Sequence, residues 1–148
     1  MEELVEQMKS VLASVFSLYL KAHNYHWNVT GPDFAQYHKF FGDFYEDLHD
    51  SVDLYAEHIR SLGEYAPGSL KRFSDLTRIS DETNIPSPHF MFIKLASDND
   101  ILISELYDIR NQADSMSQYG LVNFLEDRID YHEKMRWMLN SISKSEKR

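Results

Sequence analysis

Apolar residues in this chain return every three or four positions in four long stretches, and that periodicity restricts the fold more than any other feature of the sequence. From Leu4 to His26 the series is Leu4, Met8, Val11, Val15, Leu18, Tyr19 and Ala22, which places one stripe along an amphipathic helix. Gly31-Pro32-Asp33 interrupts it, and a second helix is expected to begin there, with Asp33 near its first turn where the helix dipole favours an acid. Phe34, Tyr37, His38, Phe41, Tyr45, Leu48, Val52, Tyr55, Ala56 and Ile59 then hold helical spacing until Gly63, a C-terminal cap. Residues 64–88 contain Pro67, Gly68, Pro86 and Pro88 and read as one long connection. Within it Ser69–Phe73 forms a short helical segment and Ser80-Asp81 a turn or cap. A third helix runs from about His89 to Ala113 on Met91, Leu95, Leu102, Leu106 and Ile109. After a break from Ser115 to Gly120, a fourth runs from Leu121 to about Ile142 on Leu121, Leu125, Ile129, His132, Met135 and Leu139.

The expected fold class is therefore all-α: a four-helix bundle with one long crossover between helices 2 and 3 carrying a short helix, and residues 1–148 forming a single domain. A chain of this length buries roughly two-thirds of its unfolded surface around one core. It has no cysteine, which excludes disulfides, thiolate metal sites and cysteine nucleophiles and fits a reducing compartment. The acidic start, Met1-Glu2-Glu3, and an apolar run broken by Glu6 and Lys9 predict neither a signal peptide nor a membrane span. A cytoplasmic protein is the expectation. The formal net charge is −9, and sequence-independent DNA binding rests on lysine and arginine neutralising phosphates, so strong DNA binding is not expected. The tail Lys144-Ser145-Glu146-Lys147-Arg148 is the one basic cluster and reads as a solvated helix end.

Chemistry concentrates in residues 22–63, which hold five of the seven histidines together with Asp43, Glu46, Asp47, Asp50, Asp53 and Glu57. Asp53 and Glu57 are spaced i, i+4 and project from one face of the second helix, where they can meet one ion. His26 and His38 flank the Gly31-Pro32 turn, which brings the two imidazoles together. Histidine and carboxylate ligands without thiolates favour iron or manganese over softer metals. Fifteen positions separate His38 from Asp53 on one helix, roughly 22 Å along its axis. One ion cannot bind both from one chain. If the four residues form one site, two copies of the second helix run antiparallel across a twofold interface, and symmetry makes two equivalent sites.

These residues carry a resemblance. His23-Asn24-Tyr25-His26-Trp27, Gly31-Pro32-Asp33-Phe34, His38, Asp53-Leu54-Tyr55-Ala56-Glu57 and Leu62-Gly63 resemble the motif set of the Dps family, the mini-ferritins, and His132-Glu133-Lys134 with Trp137-Met138-Leu139 is similar to its fourth-helix signature. One long crossover is also the connectivity of ferritin-like bundles, whereas cytokine-like bundles need two. The resemblance implies a homo-oligomer, a dodecameric hollow shell built from twofold dimers. It implies a ferroxidase that takes ferrous iron and hydrogen peroxide and stores the ferric mineral inside. His26 and His38 of one subunit and Asp53 and Glu57 of its partner would be the catalytic metal ligands. Trp27 would stand beside the site as an interceptor of stray oxidising equivalents.

The chain departs from the family pattern in ways that alter expectations. Four residues after the second histidine many members carry an acid, and here that position is Gly42, with Asp43 one step on and about 100° around the helix. A second metal position is then weaker or water-bridged. His58 stands where members commonly have arginine, and the lysine-rich N-terminal extension of DNA-binding members is absent. Asp114, Glu126, Asp127 and Asp130 fall where family members line threefold pores, and equally suit a solvated acidic face. Two alternatives stay open at this point: a structural or DNA-protecting shell without ferroxidase activity, and a di-iron oxidase with its site inside one bundle. The latter wants two Glu-x-x-His pairs, of which Glu46-Asp47-Leu48-His49 supplies one.

Overall fold

Each periodic stretch is a helix in the structure, a computed structural model that describes residues 1–144. Helix α1 spans Glu2–Asn28, α2 Phe34–Ser61, α3 Leu70–Leu76, α4 Pro88–Ser115 and α5 Tyr119–Ser143. α1 packs along α2 and α4, α4 along α5, and the short α3 lies against α1. This is the all-α bundle expected from the periodicity, with one long crossover between the second and third long helices. No described helix is long and apolar enough to cross a membrane. Most of the basic tail, Ser145–Arg148, lies outside the described residues.

The helix ends show how local chemistry sets the connections. Asp33 occupies the N-cap of α2 without a side-chain capping bond. Gly63, at φ +93°, follows the α2 C-cap, and the N–H groups of Gly63 and Glu64 reach back to the carbonyls of Arg60 and Ile59 at 3.0 and 3.3 Å. That pair of bonds is a Schellman motif, which wants a left-handed residue where the glycine stands. α3 is capped by Ser69, whose hydroxyl accepts from the Arg72 N–H. Ser80-Asp81 caps no helix; α4 starts instead at Ser87, with Pro88 in the first turn where a missing N–H costs nothing.

The expected break from Ser115 to Gly120 shortens to Met116–Gln118. A second Schellman motif makes this possible: Ser117 N–H donates to the Asp114 carbonyl at 3.0 Å and Gln118 N–H to Ala113 at 2.9 Å. Ser117 takes the left-handed conformation, φ 58°, which costs a residue with a Cβ roughly 1–2 kcal/mol. Ser117→Gly is accordingly expected to stabilise the protein by about 1 kcal/mol, read as a higher urea midpoint with an unchanged slope.

The core is drawn from all four long helices, with Leu18, Tyr25, Phe41, Leu48, Phe92, Leu102, Leu125 and Leu139 among its fully buried members. Polar groups enter it in pairs. Lys21 of α1 donates to Asp98 of α4 at 2.7 Å, both side chains being almost wholly buried. Arg128 of α5 donates to Asp47 of α2 at 2.8 Å. The crossover is tied down by Tyr25, whose hydroxyl donates to Glu82 at 2.6 Å, and by Lys94, which donates to the same carboxylate at 3.0 Å.

His132 lies at the centre of the α4–α5 contact and is fully buried. Its Nδ1–H donates to Asn99 Oδ1 at 2.7 Å, and the Asn99 amide donates to the His132 carbonyl at 2.9 Å. Burial, reinforced by the Arg128 charge, holds its pKa well below the ordinary imidazole value of 6.5. Above that value the imidazole is neutral in both folded and unfolded chains. Below it the unfolded chain takes up a proton that the folded chain refuses, so stability falls by up to about 1.4 kcal/mol per pH unit. His132→Asn, which retains a donor toward Asn99, is expected to flatten this acid slope in urea titrations below about pH 6.5.

Candidate metal centre

The turn after α1 folds α2 back so that His26 and His38 meet face to face, ring centroids 3.8 Å apart and planes 17° from parallel. Their backbones hold them reciprocally. His26 Nδ1 lies 2.7 Å from the His38 carbonyl oxygen, and His38 Nδ1 lies 2.7 Å from the His26 carbonyl oxygen. A carbonyl only accepts, so each Nδ1 carries the hydrogen and each Nε2 keeps its lone pair free. This is how a metal-ligating imidazole is oriented: a bond at one ring nitrogen fixes the tautomer and aims the other. Phe34 stacks on His38 at 4.9 Å.

Gly42 makes room for this arrangement. A Cβ built there would lie 3.1 Å from Cε1 and Nδ1 of His26, closer than ordinary van der Waals contact. The sequence marks Gly42 as a missing acid; the structure adds that the bare backbone is a seat for His26. Asp43, one step on, is exposed and forms an ion pair with Lys39 at 3.0 Å on the outer surface.

Asp53 and Glu57 lie exposed near the other end of α2. Their carboxyls are close enough to share a hydrogen bond, and that bond together with the Asp53 charge raises the Glu57 pKa above the usual glutamate range. Like charges at i, i+4 disfavour a helix, and among the described residues no cation relieves this pair. Arg60, the partner a purely structural salt bridge would use, donates instead to the Glu64 carbonyl at 3.2 Å and lies over the Tyr65 ring.

α2 is unbroken between the two halves, so the axial separation of roughly 22 Å stands. Among the described residues no three His, Cys, Asp or Glu side chains converge on one point. Glu46 and His49 are exposed on the outside of the bundle, and the interior His132 bonds to Asn99 rather than to a carboxylate. Among the described residues a site inside one bundle therefore has no ligand set.

Beside the histidine pair, Trp27 is 60% exposed and lies against His23, centroids 3.9 Å apart. His23 stacks on its other face against Tyr45 at 3.8 Å and shares a 3.0 Å hydrogen bond with Tyr19. Burial lowers the His23 pKa, with smaller contributions from His26 and His49. Sequence reasoning gives His23 a supporting role and places Tyr19 and Tyr45 only on apolar stripes. Their convergence was signalled by the i, i+4 spacing of Tyr19 and His23.

Known proteins resemble this chain in sequence and fold. The family described as the ferritin-like domain matches residues 5–148. The DNA protection during starvation protein of Helicobacter pylori is 33% identical over 138 residues, covering 92% of this chain and 95% of that protein. A protein of the same designation from Brevibacillus brevis is 30% identical, covering 95% and 98%. Among solved structures, the Dps protein of Vibrio cholerae O1, described as a member of a broad superfamily of ferritin-like diiron-carboxylate proteins, superposes with a TM-score of 0.93 at 27% identity, covering 97% of this chain and 90% of that one. With the helix order, the crossover and near full-length matches in agreement, the chain belongs to the Dps mini-ferritin family, within the ferritin-like fold.

Proposed function

We propose that this protein is a ferroxidase that oxidises ferrous iron with hydrogen peroxide at sites shared by two subunits and stores the ferric product in a hollow shell. Iron storage and detoxification is the general role of the family. The observation that carries the finer reading is the reciprocal pairing of His26 and His38 through each other's carbonyl, which occupies both Nδ1 atoms and leaves two neighbouring Nε2 lone pairs free for a metal. The complementary donors, Asp53 and Glu57, are an unrelieved carboxylate pair at the far end of the same helix. A second copy running antiparallel brings its carboxylates to the histidines, giving two nitrogen and two carboxylate donors at each of two symmetric sites.

In this reading iron is the substrate. The imidazoles hold it in place, and the hard anionic oxygens favour the ferric over the ferrous ion. Four protein donors leave coordination positions for peroxide. The ligands bind deprotonated, so acid weakens ferrous binding by protonating the imidazoles and refilling the carboxyl pair. With Gly42 in place of an acid, a second iron position is weakly held. The assembly is a dodecamer of twofold dimers in the cytoplasm, and the acidic charge makes strong DNA binding unexpected.

Anaerobic ferrous titration followed by peroxide, with particle mass measured on the same sample, tests this. The expected result is an oligomer that binds ferrous iron stoichiometrically and oxidises it rapidly on peroxide addition. A monomer with tight stoichiometric binding would overturn the shared site, and retention of DNA in a low-salt mobility assay would contradict the charge argument.

A further inference from the structure

We infer that Glu46 and His49 hold a divalent transition-metal cation on the twofold axis between two subunits, one ion per dimer, in a site separate from the two histidine–carboxylate centres. The inference rests on the shared-site reading for the register of the two copies. Glu46-Asp47-Leu48-His49 is a Glu-x-x-His sequence on α2, and the chain holds no second one. Two such pairs on facing helices are what a di-iron site inside one bundle requires. An antiparallel copy of α2 supplies the missing pair.

Where the copy falls follows from helical rise. The point midway along α2 between His38 and the Asp53, Glu57 pair lies between residues 46 and 47, and the helix is continuous there. When the histidines of each chain meet the carboxylates of the other, that midpoint lies on the twofold axis. Glu46 is then displaced from its own copy by roughly 1.5 Å along the helix direction, and His49 from its copy by roughly 7.5 Å. Both belong to the stripe that advances in steps of three and four through positions 38, 42, 46, 49, 53 and 57, so both face the partner together with the ligands of the outer sites. Helices in contact lie roughly 8–10 Å apart, a gap that glutamate and histidine side chains span from either side.

The chemistry of that meeting selects its occupant. Asp43 and Asp47 are paired within the chain with Lys39 and Arg128, whereas Glu46 is exposed and meets the partner's Glu46. Two carboxylates sharing one place stay ionised together only when a cation lies between them. His49, also exposed and packed on the Tyr19 ring at 4.9 Å, adds a neutral nitrogen donor from each chain. Two carboxylates and two imidazoles about one axis make a four-coordinate nitrogen and oxygen site, suited to zinc, manganese or ferrous iron. With a divalent ion its net charge is zero. The ion replaces a repulsion at the centre of the interface with four bonds and so fastens the dimer.

Cobalt(II) is the probe, because it takes the ligands that zinc takes and stays divalent without an oxidant. Ions bound to the metal-free protein are counted by equilibrium dialysis at a fixed free cobalt concentration, with particle mass measured on the same samples. Relative to the parent, Glu46→Gln with His49→Ala is expected to lose one ion per two chains, and Asp53→Ala with Glu57→Ala one ion per chain, the losses adding in the combined variant. All four side chains are exposed, so helicity by circular dichroism should not change. An unchanged count in the Glu46, His49 variant would overturn the site, leaving an ion pair between His49 and the partner's Glu46. Loss of one ion per chain would overturn it too, by placing the site within one subunit. If removing Asp53 and Glu57 costs no ion while removing Glu46 and His49 costs one per two chains, the shared-site reading fails and the axial site stands. The reverse pattern keeps the shared sites and removes the axial one.

Discussion

Replacing Asp53 and Glu57 together by alanine is expected to abolish rapid peroxide-dependent oxidation of ferrous iron, a loss of more than about a hundredfold. Altering residues that merely orient a ligand costs about 10–100-fold, and this change removes half the donors and all the negative charge at each site. Unfolding would not be the cause. Both side chains are exposed, the variant relieves a like-charge i, i+4 pair, and alanine is the better helix former. Its urea midpoint should match or exceed that of the parent. A hybrid assembly supplies the sharper control. Subunits lacking both carboxylates, mixed with subunits lacking both histidines, regain one complete site of the two at every mixed interface if donors come from two chains. Iron oxidation at the parent rate in the double variant would sink the ligand assignment.

The second large effect concerns the Lys21–Asp98 pair in the bundle. Asp98→Ala leaves an ammonium buried without a counter-ion, and removing one partner of such a pair costs roughly 3–5 kcal/mol. Against a total stability of about 5–15 kcal/mol, that is severe, and it should appear as a large drop in the urea midpoint. Burial raises the Asp98 pKa even with Lys21 alongside, so desolvation outweighs the attraction, and the pair as a whole adds little stability. Exchanging both residues for apolar ones of similar volume, Lys21→Met with Asp98→Leu, should therefore recover most of the loss. An Asp98→Ala variant destabilised by less than about 1 kcal/mol would show that Lys21 finds water or another acceptor.

Much of the fold was legible because helix formation is a local matter. Spacing of Leu4 to Ala22, or Phe41 to Ile59, identifies a buried stripe without knowledge of what it packs against, and Pro67, Gly68 and Pro86 interrupt helices while Pro88 begins one. Boundaries were less secure where one turn compensates for another. Ser117 closes a Schellman motif that glycine would ordinarily make, so the link is shorter than the Ser115 to Gly120 composition suggests. Ser80-Asp81 resembled a cap because its residue types are right, yet the crossover uses Ser69 and Ser87.

The sequence by itself determined the all-α bundle, its single crossover, and the division of candidate ligands into a histidine half and a carboxylate half. These follow from the helical repeat and rise, which fix direction and distance along one element. Only the tertiary structure decided how α1 and α2 meet, and with it the tautomers of His26 and His38, the seat that Gly42 provides, and the stacking of Tyr45 on His23. Those features depend on contacts between residues far apart in the chain, which no local periodicity encodes.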